Sequence, residues 1–490
     1  MLDVKQKNIE LLSKYEPKGV MVHFAKLSNI PHGSGNEKEI GKYIADLLKE
    51  VSEQVILYPD GTVYASKKAT QGFENKPMVC LQAHSDMVCV KRKDSNHNFL
   101  KDPLELIVEN GILRANGTSL GADNCIGVAY ILDIFTNPNI EHGPIECLIT
   151  TAEETTMGGV KIFQPGVLKS KYLINLDSEY TDLIYLGCCG GIESCITNTF
   201  TREPSKDLTE HISISIKDGC SGHSGSMIRF KIINTIKLMF SLLKTVSNKH
   251  QLALVDINGG QYKNAIAGNC FATIAIKPED FESVKKILID NFNEIKKEFS
   301  QREKKININV EKNQKKLEPI NLKESYALVD AYNTVINGVI TLSEKYDIAD
   351  GSNNVGIIET EDNCIKAKFL LRSLYHNQKH RILNRTLSAF YGTNFSYKIV
   401  DDYPEWTPVD GENILEKKFK EIYRTKFNKD PQVCVTEGGL EAGVLVKKYP
   451  EIIAVSIGPD IRDAHTFGEY AILKSVKATY EILVEMLKTI

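Results

Sequence analysis

The sequence predicts an α/β fold, in which a mostly parallel mixed sheet with flanking helices carries an inserted α+β module. Short apolar runs alternate with helical patterns over the first two hundred residues. Near residue 205 the pattern changes to strands that alternate apolar and polar residues, and the first pattern returns after residue 401. We therefore expect residues 1–205 and 401–490 to form one domain and residues 206–400 to form the insertion.

Each element of the first domain is predicted from a local pattern. Residues 35–50 have helical spacing, and Ser34 or Asn36 is a candidate cap. The segment Asp123–Phe135 is apolar enough to be a buried helix between two strands. Three short apolar runs predict buried strands: Met78–Ala83, Ile145–Thr150 and Tyr172–Leu176.

The insertion and the carboxyl-terminal part have different patterns. His211–Ile216 and Ile365–Leu371 alternate apolar and polar residues, as half-solvated strands do, and Ile232–Leu243 is an amphipathic helix. Near the end of the chain, Ile452–Ile457 again predicts a strand, and Tyr470–Leu487 predicts a terminal helix. The carboxyl-terminal part thus resembles the first domain and is expected to complete it.

Composition excludes several classes of protein. The 490 residues are 42% hydrophobic, which is enough for a sizeable core, and the formal net charge is -3. The chain has no surplus of basic residues that would favour binding to nucleic acid. No apolar run approaches the roughly 20 residues that span a membrane. The segment Met1–Lys7 lacks the apolar core of a signal peptide, and the eleven cysteines include no CxxC pair. We expect a cytoplasmic protein with reduced thiols and with neither nucleic acid nor membrane as a partner.

Acidic residues follow the predicted buried strands. His84-Ser85-Asp86, Glu153-Glu154 and Asp177 each come after a strand, and Asp123 opens the buried helix. The carboxyl ends of parallel strands meet at one rim, so these groups are expected to lie together. Taken singly, each acid also fits a cap and His84 fits a core histidine. Together they favour a pair of metal ions, because clustered carboxylates repel one another unless a cation lies among them.

A resemblance to a known family strengthens this interpretation. Taken in order, the motifs resemble those of the di-zinc aminopeptidase/carboxypeptidase superfamily, and within it the bacterial aminoacyl-histidine dipeptidases. The resemblance extends over nearly the whole chain. The motifs are His84-Ser85-Asp86-Met87-Val88, Gly121-Ala122-Asp123-Asn124, Glu153-Glu154 with Gly158-Gly159-Val160, Leu176-Asp177-Ser178-Glu179, and Asp463-Ala464-His465.

The resemblance implies a role for each acidic or imidazole ligand. Asp123 would bridge two divalent ions, most simply Zn²⁺, with Mn²⁺ or Co²⁺ as alternatives. His84 and Asp177 would complete one metal site, and Glu154 and His465 the other. From the residues alone, either member of the Glu153-Glu154 pair could be the ligand; the family pattern assigns Glu154.

The same resemblance implies catalytic and substrate-binding residues. Glu153 would be the general base, and Asp86 would hold the imidazole of His84. The insertion would be a lid, in which His223 stabilises the developing oxyanion and Asn264 contacts the substrate. Arg372 would bind the terminal carboxylate of a dipeptide.

The sequence departs from the dipeptidase pattern at two places near the expected substrate position. Ala267-Gly268-Asn269 stands where a Pro-Arg-like segment is usual, and Glu437-Gly438 replaces a histidine-small pair before Gly439, a further candidate for substrate binding. These departures leave hydrolysis intact. They put the preference for a carboxyl-terminal histidine in doubt.

The sequence therefore predicts a metallo-dipeptidase that acts on small unblocked peptides, with a possible homodimer formed through the lid. A tripeptidase or N-acyl-amino-acid deacylase of the same superfamily is the enzymatic alternative, and a non-catalytic binding protein is another. A serine hydrolase fits poorly, since Gly222-His223-Ser224-Gly225-Ser226 lacks the glycine pattern of a nucleophile elbow.

Overall fold

The chain folds into two compact units in the computed structural model, which describes residues 3–313 and 317–490. The first unit comprises Met1–Gly187, Pro408–Val435 and Leu440–Ile490. The second comprises Cys188–Thr407 and Thr436–Gly439. It begins before the boundary expected after residue 205, because the strand Gly190–Thr199 pairs with Cys364–Ser373 and so belongs to the second sheet.

An eight-stranded mixed sheet forms the centre of the first unit. Its strands lie in the order Gln54–Leu57, Val63–Lys67, Ile145–Thr150, Val79–His84, Tyr172–Asn175, Ile453–Ser456, Leu183–Cys188 and Gln432–Thr436. The four strands from Ile145–Thr150 to Ile453–Ser456 are parallel, whereas the neighbours on both sides pair antiparallel. The predicted mixed sheet is therefore confirmed, with its parallel strands at the centre.

Burial explains why the sequence pattern predicted these central strands. Every residue of Val79–His84, Ile145–Thr150 and Tyr172–Asn175 is buried. A parallel sheet covered on both faces selects continuous apolar runs. Since the strands run in one direction, their carboxyl ends lie at one edge of the sheet.

Helices cover this sheet. Ala122–Thr136 is almost wholly buried, and Gly19 of the helix Lys18–Ser28 packs so closely on it that a Cβ atom would lie 1.7 Å from an Asp133 oxygen. The hydroxyl of Tyr480 also donates to Asp133. The helices of the unit are Val4–Leu12, Lys18–Ser28, Lys38–Lys49, Ala122–Thr136, Glu153–Thr156, Gly158–Ile162, Ile414–Phe427, Glu441–Lys448 and Leu473–Thr489.

The caps predicted for the helix Lys38–Lys49 are wrong. Neither Ser34 nor Asn36 caps the helix Lys38–Lys49, whose N-cap is Glu37. The Ser34 hydroxyl instead donates to Asp86, and the Asn36 amide contacts the Pro31 carbonyl.

The terminal helix begins at Leu473 rather than Tyr470, because Tyr470–Ile472 pairs as a strand with Ile112–Ala115. Such long-range pairing leaves no local signal. Together with Leu106–Glu109 and Ile461–Arg462, these two strands form a four-stranded sheet.

The second unit is an antiparallel sheet with helices packed against it, which confirms the α+β character of the insertion. The strands of its main sheet are Asn307–Lys312, Glu210–Lys217, Cys270–Ile276, Leu252–Gly259, Gly351–Glu361, Cys364–Ser373, Gly190–Thr199 and Phe395–Tyr403, with Gly338–Thr341 paired to Gly351–Glu361. Gly222–His223 and Ala265–Ile266 form a separate two-stranded sheet. The helices are Thr235–Ser247, the 3₁₀ turn Pro278–Asp280, Phe281–Glu298, Leu322–Thr334 and His376–Ser388. Residues of the four α-helices and of the strands share one apolar core.

Two further features concern the whole described part of the chain. Across residues 3–313 and 317–490, none of the helices combines the length and the apolar composition that a transmembrane segment requires. Within the same residues, none of the cysteines forms a disulfide.

Leu81→Ala is expected to destabilise the first unit strongly. Leu81 lies in the central strand Val79–His84 and is 0% exposed, so its truncation leaves a cavity that costs about 2–5 kcal/mol. The midpoint of urea unfolding measures the effect. Leu100→Ala is the control, because Leu100 is 71% exposed and its truncation should change stability by less than about 0.5 kcal/mol. Equal midpoints for the two variants would contradict the assigned core.

Candidate metal and active site

The carboxyl edge of the parallel strands brings together the residues that the sequence predicted as metal ligands and general base. His84 ends its strand directly opposite Thr150, so the chain that continues to Glu153 and Glu154 leaves the sheet beside it. Asp177 follows the neighbouring strand Tyr172–Asn175. The sheet therefore brings these groups to one edge, as the sequence pattern predicted.

Asp123 lies at the centre of the cluster and contacts both imidazoles. Its Oδ1 is 3.1 Å from Nε2 of His84, and its Oδ2 is 3.2 Å from Nε2 of His465. His84 Nε2 is also 3.2 Å from Asp177, and His465 Nε2 is 2.9 Å from Glu154. Each oxygen of Asp123 thus faces its own set of one imidazole and one further carboxylate.

The backbone around Asp123 is adapted to this position. Asp123 and Asn124 have non-helical dihedral angles at the start of the helix Ala122–Thr136, and the peptide bond between them is cis. The Asn124 amide donates to Asp177 at 2.5 Å. The carboxylate of Asp177 is thereby oriented by the residue that follows Asp123.

Asp86 is fully buried and ties three segments together. Its carboxylate accepts the Ser34 hydroxyl at 2.8 Å and the backbone N–H groups of Glu153 and Glu154 at 3.0 and 3.2 Å. Nδ1 of His84 lies 3.1 Å from the Asp86 backbone carbonyl and 3.5 Å from its carboxylate. Both groups favour a hydrogen on Nδ1, which leaves Nε2 to face Asp123 and Asp177.

Charge at this edge is strongly unbalanced. Burial and the Asp123 carboxylate raise the pKa of Glu154 to about 7, and burial raises the pKa of Asp177 to about 6. Burial also raises the pKa of Glu153 well above its ordinary value, with Asp177 and Glu154 adding to the rise. Although burial opposes it, hydrogen bonds with His465 and His84 hold the pKa of Asp123 below its usual range. The cluster therefore has an excess of negative charge that a cation would neutralise.

The donor set fits divalent metal ions. Ligand atoms of His84, Asp123 and Glu154 all lie within 4.8 Å of one another, and Oε1 of Glu154 is buried without a hydrogen-bond partner. Imidazole nitrogens with carboxylate oxygens suit zinc and similar ions. The two oxygens of Asp123, each with its own imidazole and carboxylate, have the arrangement of a bridging ligand between two ions.

Three acidic residues near the site had no predicted role. Glu441 is buried and accepts hydrogen bonds from Gln82 and Thr150, and burial raises its pKa to about 8. Burial also raises the pKa of Glu179 to about 8, beside Asp123. Glu469 accepts backbone N–H groups from the turn that carries Asp123. An acid inside an otherwise apolar segment was the available signal, as in Glu441-Ala442-Gly443-Val444.

The second unit brings His223 and Arg372 together. Arg372 is only 4% exposed. One guanidinium nitrogen donates to the Tyr403 hydroxyl at 2.8 Å and to the Glu437 carbonyl at 3.2 Å, and the other lies 3.5 Å from Nε2 of His223. Nε of Arg372 is buried without a hydrogen-bond partner. Such a buried, incompletely paired cation is suited to an anionic ligand.

Asn264 and Gly439 lie on backbone segments linked to these residues. His223 pairs with Ala265, and the N–H of Ser224 donates to the Asn264 carbonyl at 2.8 Å. Gly439 ends the segment Thr436–Gly439, whose Glu437 carbonyl contacts Arg372. Turns rather than a helix follow His223, so this segment lacks the strand-turn-helix geometry of a serine nucleophile.

Known proteins resemble the chain along nearly its full length. The model of peptidase family M20/M25/M40 matches residues 80–489. The cytosol non-specific dipeptidase of Escherichia coli (strain K12) is 35% identical over 486 residues, which are 98% of this chain and 99% of that protein.

Two solved structures are also similar to the chain. The aminoacylhistidine dipeptidase of Vibrio alginolyticus is 31% identical, covers 98% of both chains and superposes with a TM-score of 0.84. A tripeptidase of Staphylococcus aureus shares the fold, with a TM-score of 0.56 at 14% identity over 97% of this chain and 98% of that one. By the extent of the family match and the identity to full-length relatives, the chain belongs to peptidase family M20/M25/M40 and is a peptide hydrolase.

Proposed function

We propose that the protein is a metal-dependent dipeptidase that hydrolyses unblocked dipeptides. The observation that carries the proposal is the position of Asp123, whose two oxygens face two separate imidazole–carboxylate sets. The names of the Escherichia coli and Vibrio alginolyticus relatives, both dipeptidases, support the substrate class.

In this proposal Asp123 would be shared by two divalent ions. His84 and Asp177 would hold one ion, and Glu154 and His465 would hold the other, which the contacts of 2.9 to 3.2 Å within each set support. Zinc is the preferred ion because imidazole with carboxylate is a usual zinc donor set, and manganese and cobalt are the alternatives. When bound, two such ions polarise the scissile carbonyl and acidify an attacking water.

Glu153 is the proposed general base. It adjoins the proposed ligand Glu154, and burial raises its pKa, which makes its carboxylate a stronger base than an exposed glutamate. Its carboxylate accepts the proton of the attacking water and passes it to the leaving nitrogen. Asp86 supports this step by accepting the N–H groups of Glu153 and Glu154 and by fixing the ring of His84.

Residues of the second unit are proposed to bind the substrate. Arg372 would pair with the terminal carboxylate of a dipeptide through its incompletely bonded guanidinium. His223 would donate a hydrogen bond to the carbonyl oxygen as negative charge develops there, and Asn264 and Gly439 would contact the peptide backbone. Capture of the carboxylate limits the length of the substrate, because a longer peptide places that charge elsewhere.

The proposal extends to the setting of the enzyme. We place it in the cytoplasm, in keeping with the name of the Escherichia coli relative and with cysteines that form no disulfides in the described residues. The second unit would act as a lid and is the proposed surface of a homodimer. Glu437-Gly438 in place of a histidine-small pair argues against a strict preference for carboxyl-terminal histidine.

Removal of metal is expected to abolish hydrolysis, and zinc, manganese or cobalt should restore it. Protein stripped with a chelator and checked by elemental analysis would be reconstituted and assayed on dipeptides, tripeptides and N-acetyl amino acids. Release of free amino acids from dipeptides alone is the expected result. Undiminished activity of metal-free protein would overturn the metal proposal, and preference for tripeptides or N-acetyl substrates would assign one of the alternative activities.

Glu153→Gln should bind metal normally and lower kcat by about 100- to 10,000-fold, because the amide cannot take up the proton. Elemental analysis of the purified variant and steady-state kinetics measure the two effects. Glu39→Gln on the exposed face of helix Lys38–Lys49 is the matched control and should leave kcat unchanged. Turnover of the Glu153 variant near the parental rate would refute its role as base.

Arg372→Ala should remove the discrimination between a dipeptide and the corresponding dipeptide amide. The loss of a charge-assisted hydrogen bond is expected to lower kcat/KM for the free dipeptide by about 10- to 100-fold and to leave the amide nearly unaffected. Arg381→Ala provides the comparison, since Arg381 is exposed on the helix His376–Ser388. An equal loss on both substrates would show that Arg372 does not read the carboxylate.

A further inference from the structure

The carboxylate of Glu469 accepts hydrogen bonds from backbone N–H groups at the start of the buried helix that carries Asp123. The first N–H groups of a helix have no partner within it. Here the Glu469 carboxylate accepts the N–H groups of Leu120 at 2.8 Å, Gly121 at 3.0 Å, Ala122 at 2.8 Å and Asp123 at 3.4 Å. Glu469 is 3% exposed, so water does not compete for these donors.

This arrangement fixes the backbone from which the Asp123 side chain extends. The four N–H groups that Glu469 accepts belong to the three residues before Asp123 and to Asp123 itself. The two oxygens of Asp123 contact His84 and His465, at 3.1 and 3.2 Å.

Glu469 also belongs to the loop that carries His465. The two residues are four positions apart, and the N–H of Glu469 contacts the Thr466 carbonyl at 3.3 Å. Arg114 donates to the Gly468 carbonyl at 2.9 Å, and the following strand Tyr470–Ile472 pairs with Ile112–Ala115. His465 itself has a left-handed φ of 62°, a conformation that the surrounding contacts must hold.

From these contacts we propose that Glu469 is a positioning residue that holds Asp123 and His465 in register, so that both metal positions form together. One buried carboxylate links the turn of the bridging ligand to the loop of a terminal ligand 342 positions away. It is not one of the proposed ligands, and it acts through the backbone N–H groups that it accepts. The inference rests on the proposed metal site.

Glu469→Gln tests the proposal. The amide offers one acceptor oxygen and turns an NH₂ group toward backbone donors, so the turn should lose its fixed position. Metal-free protein would be titrated with zinc in competition with a chromophoric chelator. Both zinc equivalents should bind roughly 10- to 100-fold more weakly than in the parental protein. Glu469→Asp keeps the charge but shortens the side chain, so it should also weaken the binding of both zinc equivalents. It provides the test if the glutamine variant does not fold.

Glu146→Gln is the matched control. Glu146 is likewise a buried carboxylate of the first unit, 0% exposed, and it accepts the backbone N–H groups of Lys169 and Ser170 at 2.8 and 2.7 Å. That loop carries no proposed ligand. This variant should lower the thermal midpoint and keep the parental zinc affinity, whereas the Glu469 variants should lose zinc affinity.

The outcomes separate the inference from the proposed function. Parental zinc affinity in both folded Glu469 variants would overturn the positioning role alone. An equal loss of affinity in the Glu146 variant would also overturn it, since general destabilisation would then suffice. A parental protein that binds no zinc and does not hydrolyse dipeptides would overturn the proposed function, and the inference with it.

Discussion

Repulsion among partly buried carboxylates at the carboxyl edge of the parallel strands is the constraint on which the first unit depends. Asp123, Glu153, Glu154 and Asp177 lie near two imidazoles, and their partial burial reduces the screening of their charges by water. Such a cluster is costly to a folded chain unless positive charge is supplied. The clustering of carboxylates lowers the stability of the folded state, and it also makes this edge a suitable place for two divalent cations.

The protein holds these acids by backbone amides and by rigid elements. Asp86 accepts the N–H groups of Glu153 and Glu154, and Glu469 accepts those of the turn at Asp123. Because fully buried strands deliver His84 and Asp177, their positions are set by packing rather than by a mobile loop. His465 is the exception: it lies on a loop, with a left-handed backbone, and relies on neighbouring contacts.

In the second unit, the predicted substrate-binding residues include a buried cation. Arg372 is a buried cation that satisfies only part of its donors internally, beside His223 and the Glu437 carbonyl. Under the proposed function, this cation would bind an anion, and the acidic edge of the first unit would bind cations. In the same proposal, the first unit supplies the metal ligands and the general base, and the second unit supplies the residues that bind the peptide and the developing oxyanion.

The sequence alone determined the central parallel strands and the acidic residues at their carboxyl ends. Apolar runs predict the buried parallel strands, because a strand covered on both faces needs continuous apolar residues, and the acids that follow those strands predict the rim. The caps proposed at Ser34 and Asn36 and the start of the terminal helix were wrong, because contacts with Asp86 and Ile112–Ala115 lie far along the chain. Only the tertiary structure decided how Asp123 faces two imidazoles and why Glu469 supports it: hydrogen bonds between segments more than 300 residues apart have no local pattern.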